Sequence, residues 1–101
     1  MKKIENLTDF ITAEYNDANK YIVQAEYNKN SDPKLADLYF ELANEEISHA
    51  NRLHEAAVSI IERLKQEGAT IPNWMLELYE ILHKQHVRQA NEVEEKIKNF
   101  K

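Results

Sequence analysis

Apolar residues recur at steps of three and four along most of the chain, a rhythm that predicts amphipathic helices rather than strands. Two breaks interrupt it. In "NKNSDPK", Asp32 can cap a helix that has Pro33 at its first position. In "EGATIPN", Gly68 can end a helix in the left-handed conformation and Pro72 can open the next one. The pattern therefore predicts one domain, residues 1–101, with helices over about residues 5–29, 33–67 and 72–99.

Composition agrees with an all-α fold. The chain has one glycine and two prolines, whereas a sheet protein of this size needs many more turn residues. With 43% hydrophobic and 31% charged residues, its 101 residues are enough for one modest core.

Polar residues interrupt the apolar stripes of the first two helices. Glu14 completes the rhythm of helix 1, and Glu46 and His49 complete that of helix 2. If these stripes face a core, a carboxylate and an imidazole should be buried among hydrocarbon side chains. The apolar members are Leu7, Ile11, Ala18, Tyr21 and Ala25 in helix 1, and Leu35, Tyr39, Leu42, Leu53, Ala56 and Ile60 in helix 2.

The two glutamates should also lie level. In an antiparallel hairpin that turns near residue 30, residues whose numbers sum to about 60 face each other, as Glu14 and Glu46 do. Tyr21 and Tyr39 form another such pair. Two carboxylates at one buried level repel each other, which raises their pKa values. A shared metal ion relieves that repulsion.

The donor set suits a transition metal. Glu46 and His49 are three residues apart and project from one helical face, and carboxylate oxygen with imidazole nitrogen suits iron, manganese or zinc. Four-helix di-iron proteins use one glutamate from each of two helices and a Glu-x-x-His from each of the other two, so this hairpin holds half a site. A two-fold dimer would complete it. The alternative places both glutamates at the stripe edge in water, with His49 as a satisfied core histidine.

The same residues carry a family resemblance. "AEYNDANKY" (13–21) and "LADLYFELANEEISHANRL" (35–53) resemble the first hairpin of the rubrerythrin and ferritin-like superfamily. Glu14 matches its first ligand, Tyr21 its tyrosine, Glu46 and His49 its Glu-x-x-His, and Ala50 the small residue that follows. The resemblance implies a non-haem di-iron centre that oxidises Fe(II) or reduces peroxide.

The chain departs from full-length rubrerythrins because it lacks a second ligand-bearing hairpin and a cysteine-rich module. It is more similar to the half-length encapsulated ferritins, in which two short subunits share the di-iron site. That similarity implies a ferritin-like four-helix bundle completed by dimerisation, in a homodimer or a higher even-numbered homo-oligomer. It also implies an encapsulin shell as a partner, although "EEKIKNFK" departs from the hydrophobic tail that docks into such shells.

Helix 3 has a second Glu-x-x-His, formed by Glu80 and His83, and two stripes compete on it. The more apolar stripe runs through His86 and leaves Glu80 and His83 at its edge. One interpretation is a packing helix with surface histidines. The other makes Glu80, His83 or His86 ligands of a secondary or entry site, or the missing ligands of a site within one chain.

Several aromatic residues have two interpretations each. Tyr15 and Tyr21 either donate hydrogen bonds to the ligand carboxylates or pack in the core. Trp74 and Phe100, at the two ends of helix 3, are expected to anchor packing or an interface.

Charge and cysteine content exclude other functions. The net charge of −5 disfavours binding to nucleic acid and to anionic membranes. The chain has no cysteine, which excludes disulfides and thiolate sites, and no signal peptide or apolar run of membrane-spanning length is expected. The expected location is cytoplasmic, or inside a protein nanocompartment. The competing hypothesis for function is a metal-free, ferritin-like helical module for interaction or structure.

Overall fold

The computed structural model describes residues 2–68 and 70–100, and of Leu78 the backbone only. Within those residues the chain forms helices and no strand, so the predicted all-α fold with three helices is confirmed. The bounds differ from the predicted ones by no more than three residues, with α1 at Lys2–Asn28, α2 at Pro33–Gln66 and α3 at Asn73–Phe100.

The turn residues act as their sequence predicts. The Asp32 carboxylate accepts a hydrogen bond from the backbone N–H of Leu35 at 3.2 Å, directly before Pro33. Gly68 ends α2 with a φ of 74°, in the left-handed region. Pro72 departs slightly from expectation, because it precedes α3 rather than opening it, and its carbonyl accepts a hydrogen bond from the backbone N–H of Met75 at 3.0 Å.

Helices α1 and α2 form an antiparallel hairpin in the predicted register. The rings of Tyr21 and Tyr39 lie level, with their centroids 6.2 Å apart. The hairpin dominates a rod of 56 × 18 × 17 Å, whose length is that of α2, since a helix rises about 1.5 Å per residue. The residues in the middle of α1 and those in the middle of α2 therefore lie opposite each other.

Helix α3 packs along one side of the hairpin, parallel to α1. The Lys96 ammonium donates a hydrogen bond to Asn19 at 2.6 Å, and the Lys29 ammonium donates to the carbonyl of Phe100 at 2.8 Å. The Phe100 ring stacks on Phe40 of α2 with a centroid distance of 4.9 Å. This confirms Phe100 as a packing residue.

The core lies to one side of the predicted stripes, which corrects the prediction. Ile11, Ala18 and Ala25 are buried as expected, but the buried line of α2 is displaced by about one residue toward α3. The reason is that α3 covers that side of the hairpin, which a pattern within one helix does not reveal. The buried residues include Ile4, Thr8, Tyr15 and Ile22 in α1, and Ala36, Ala43, Ile47, Ala50 and Ala57 in α2.

Nine of the predicted stripe residues that are not in this core form what we call the open face, on the side of the hairpin that α3 does not cover; of the other two, Leu35 is half-buried and Ala56 is exposed. All nine are half-buried except His49, which is exposed. Exposure of His49 corrects the expectation that the imidazole is buried within one chain. The open face consists of Leu7, Glu14 and Tyr21 of α1 and Tyr39, Leu42, Glu46, His49, Leu53 and Ile60 of α2.

The described parts of α1, α2 and α3 include no segment with the length and apolar character needed to cross a membrane.

Candidate metal site

Glu14, Glu46 and His49 meet at the middle of the open face. One potential ligand atom from each lies within 4.8 Å of the others. The Nδ1 atom of His49 is 3.6 Å from Oε2 of Glu14 and 3.7 Å from Oε1 of Glu46. We call these three residues the triad. It brings together, in one chain, all the primary ligands that the sequence predicts.

The backbone positions the triad rigidly. Glu46 and His49 are three residues apart on α2, so both side chains leave the same face of one helix. The hairpin register then brings Glu14 of α1 level with them. All three lie in the interior of long helices, where the backbone is held by the helical hydrogen bonds. The two glutamates therefore lie level in the structure, as the hairpin register predicts.

The two carboxyl groups interact strongly. A hydrogen bond that protonated Glu46 donates to Glu14, together with burial and the negative charge of Glu14, raises the pKa of Glu46 from 4.5 to about 7. His49 acts in the opposite direction, and Asp17 adds a smaller upward contribution. The Glu46 side chain is only 18% exposed. Near neutral pH, a proton therefore occupies the position between the glutamates that a cation would take.

Glu14 has a vacant acceptor. Its Oε2 atom is buried and, among the described residues, accepts no hydrogen bond, since the His49 nitrogen at 3.6 Å is too distant to donate one. A buried carboxylate oxygen without a partner costs free energy, and such atoms in native proteins commonly serve a bound ion or a catalytic role. The donor set of two carboxylates and one imidazole fits a divalent iron, manganese or zinc ion.

The triad is open on the side away from the hairpin. A surface depression of about 520 Å³ lies over Glu14 and His49, and Arg52 and Leu53 form the rest of its lining. A metal held by three side chains would thus keep coordination positions directed away from its own chain. Those positions are available to oxygen, peroxide, water or ligands from another subunit.

Neither tyrosine reaches the triad. Tyr21 stacks on Tyr39, and Tyr15 is buried with its ring centroid 5.9 Å from that of His86. Among the described residues, neither makes a hydrogen bond to a triad side chain. Burial and the charge of Glu94 raise the pKa of Tyr15. Core packing is therefore the role that the contacts of Tyr15 support.

In the described part of the chain, the helix 3 residues do not lie with the triad. Glu80 is exposed. His83 contacts His54 of α2, and His86 contacts Thr12 of α1. His86 is buried, as the more apolar stripe predicts. Trp74 is 59% exposed, so its burial does not support packing within the chain, and its alternative role at an interface stays a prediction.

One histidine escaped the sequence reasoning. His54 of α2 lies beside His83, with Nε2 of His54 2.8 Å from Nδ1 of His83. The same hairpin arithmetic would have found it, because residues on either side of a turn near residue 69 lie level when their numbers sum to about 138.

No protein-family model, curated protein or solved structure matches this chain. The case for its function therefore depends on the geometry of the triad and on the resemblance of its first hairpin.

Proposed function

We propose that the chain is a non-haem di-iron carboxylate protein that binds and oxidises Fe(II), with each metal site shared across a homodimer. The observation that carries this proposal is the triad with its unpartnered, buried Glu14 oxygen. The raised pKa of Glu46 supports it, since a proton held between two carboxylates marks a position suited to a cation. Glu14, Glu46 and His49 would hold the iron.

Iron in such a site supplies electrons to oxygen or peroxide, and two adjacent Fe(II) ions deliver two electrons together. The chain's own residues have simpler tasks. Glu14 and Glu46 would hold the ions with negatively charged oxygen ligands, and His49 would add a nitrogen donor at the exposed rim. Iron binding displaces the proton from Glu46, so the affinity for Fe(II) should increase as the pH rises through about 7.

The dimer follows from what one chain lacks. A single triad offers two glutamates and one histidine, half of the ligand set found in four-helix di-iron proteins. A two-fold axis over the open face would supply the other half and cover Leu42, Leu53 and Ile60. The two hairpins would then form the four-helix bundle, with α3 of each chain outside it.

The ligand assignment is tested by adding Fe(II) anaerobically and then admitting oxygen or peroxide. We expect saturation at one iron per chain and a rise in near-ultraviolet ferric absorbance. Glu46→Gln and His49→Gln should each slow that rise by more than about tenfold. Replacing a residue that only hydrogen-bonds a metal ligand already lowers activity by about tenfold or more, and these residues are proposed to be ligands themselves. The matched control is Glu45→Gln, because Glu45 is exposed and adjacent to Glu46. Equal rates in the Glu45 and Glu46 variants would show that the ligands are wrong.

The shared site is tested separately by sedimentation. The iron-loaded protein should have twice the mass of one chain. Leu53→Asp at the rim of the triad should yield a monomer with impaired oxidation, whereas Ile81→Asp, at a residue 56% exposed on α3, should change neither property. Full oxidation by a monomer would refute the shared site and leave the ligand assignment intact. If no iron or zinc binds, and a chelator leaves thermal stability unchanged, the metal-free helical module becomes the better explanation.

A further inference from the structure

Three of the four histidines lie away from the triad, between α3 and the side of the hairpin that it covers. His54 belongs to α2, and His83 and His86 to α3. All three line one cavity of about 240 Å³. We call them the imidazole cluster. The other residues that line the cavity are Tyr15, Asn51, Val87, Ala90 and Asn91.

His54 and His83 already point ring nitrogens at each other. Nε2 of His54 and Nδ1 of His83 are 2.8 Å apart, with ring planes inclined by 25°. At this distance one nitrogen carries a proton and the other accepts it, so at least one unprotonated nitrogen is present in the contact. A tetrahedral zinc ion with bonds of about 2.0–2.1 Å separates two ligand nitrogens by about 3.3 Å. To admit the ion, the rings would part by about 0.5 Å and also turn, so that both lone pairs point at one position.

The hydrogen bonds of Thr12 determine which nitrogen of His86 is available. The Thr12 hydroxyl donates to the backbone carbonyl of Thr8 at 3.1 Å and lies 2.8 Å from Nε2 of His86. A hydroxyl has one proton. When that proton is donated to Thr8, Thr12 accepts from His86 and Nε2 carries the hydrogen. In that tautomer, Nδ1 of His86 holds the lone pair. This is the arrangement of a metal-ligating histidine oriented by a partner at its other nitrogen.

The surroundings of His54 and His86 favour the neutral form of these two imidazoles. Burial, followed by the proximity of His83, lowers the pKa of His54. Burial, followed by His54 and His83, lowers the pKa of His86. Glu55 opposes this shift at His54, and Glu94 faces Tyr15 on the neighbouring helix. Neutral imidazole is the form that binds metal.

We propose that His54, His83 and His86 form a second metal site, separate from the triad, for a borderline divalent ion such as Zn²⁺. His54 and His83 form its core. The ligand nitrogens of the three imidazoles do not all lie within 4.8 Å of one another, as those of the triad do. The ring of His86 would therefore move toward the other two to bind the ion. The cavity has room for a water molecule as the fourth ligand, which gives the four-coordinate geometry that zinc adopts.

The ion would fasten α3 to the hairpin. Helix α3 packs mainly on α1 and touches α2 sparsely. A metal bound to His54 of α2 and to His83 and His86 of α3 would add a direct link across this weak contact. All nitrogen donors favour zinc, copper or nickel over the harder ions that carboxylates prefer, so the two sites differ in the metal they select. This inference does not depend on the function proposed for the triad.

The experiment titrates Zn²⁺ alone into the full chain with Glu14→Gln and Glu46→Gln, which disable the triad. We expect one zinc per chain by calorimetry, and a rise in thermal stability with zinc. Adding His83→Gln should weaken binding by more than about tenfold. The matched control is His49→Gln in the same background, because His49 is the one histidine outside the cluster, and it should leave zinc binding unchanged.

Two results would overturn the proposal: no zinc bound when the triad is disabled, or zinc lost on replacing His49 and retained on replacing His83. Circular dichroism verifies that each variant keeps its helices. If the His83 variant does not fold, X-ray absorption at the zinc edge is measured instead on the zinc-loaded chain that carries only Glu14→Gln and Glu46→Gln. Imidazole nitrogens at about 2.0 Å support the site, and a shell of oxygen atoms alone refutes it.

Discussion

Replacing Glu46 with glutamine should stabilise the metal-free protein at alkaline pH. Above pH 7, Glu46 loses its proton beside Glu14, one oxygen of which accepts no hydrogen bond from the residues that the structure describes. Glutamine has nearly the same shape, carries no charge and can donate an N–H to the Glu14 carboxylate. The substitution therefore removes the repulsion and supplies the missing donor.

The magnitude follows from proton linkage. Glu46 binds its proton more tightly in the folded chain, with a pKa of about 7, than in the unfolded chain, with a pKa of 4.5. The corresponding stability is fully present below pH 4.5 and is lost as the pH rises through about 7. It amounts to about 3 kcal/mol, at 1.36 kcal/mol for each pKa unit. This value is an upper one, because Glu46 shares the proton with Glu14 and solvent screens the pair at the open face.

The assay is urea unfolding followed by circular dichroism, in the presence of a chelator and at one protein concentration, from pH 4 to pH 8. The difference in unfolding free energy between Glu46→Gln and the wild type should be near zero at pH 4 and reach about 2–3 kcal/mol in favour of the variant at pH 8. Glu45→Gln should show no such trend. A pH-independent difference, or a variant less stable than the wild type at pH 8, would refute the account of the paired carboxylates.

Three other predictions use the same unfolding measurement. In the Glu46→Gln variant, stability should fall as the pH drops below about 6.5, because the lowered pKa values of His54 and His86 let the unfolded chain bind protons first; a flat profile contradicts this. Phe100→Ala should cost about 3 kcal/mol by removing a buried ring, whereas Tyr27→Ala, at a residue 81% exposed, should cost less than about 1 kcal/mol. Gly68→Ala should cost about 1 kcal/mol through its φ of 74° alone, since an added Cβ would meet nothing within 4 Å.

The sequence was sufficient to predict features that depend on local rules. Asp32, Pro33 and Gly68 act within a turn of their own positions, so the helix ends were predicted to within a few residues. Hairpin register is nearly as local, because a short turn fixes which residues lie level. The pairing of Glu14 with Glu46 followed from that arithmetic, before any tertiary contact was known.

Features that depend on α3 could not be predicted in the same way. Ala43 and Ile47 are buried because they lie on the side of the hairpin that α3 covers. Leu42 and Glu46 lie at the edge of that side and are only half-buried. Periodicity within α2 fits both stripes, since they differ by one residue. The partner of His83 could not be predicted from α3 alone either, because His54 lies on α2 and meets His83 only through the register of α2 and α3.

The apolar and the charged parts of the open face impose opposite demands on a single chain, and the proposed dimer reconciles them only when metal is bound. Leu42, Leu53 and Ile60 favour a partner surface that excludes water. The same partner would desolvate the carboxylates of Glu14 and Glu46, which is costly unless a cation offsets their charge. Iron should therefore tighten the dimer, and the dimer should tighten iron binding by the same coupling free energy. Sedimentation of the chelated protein should reveal a weaker dimer than the iron-loaded protein, and the Glu46→Gln chain, which lacks the repulsion, should dimerise with little response to iron.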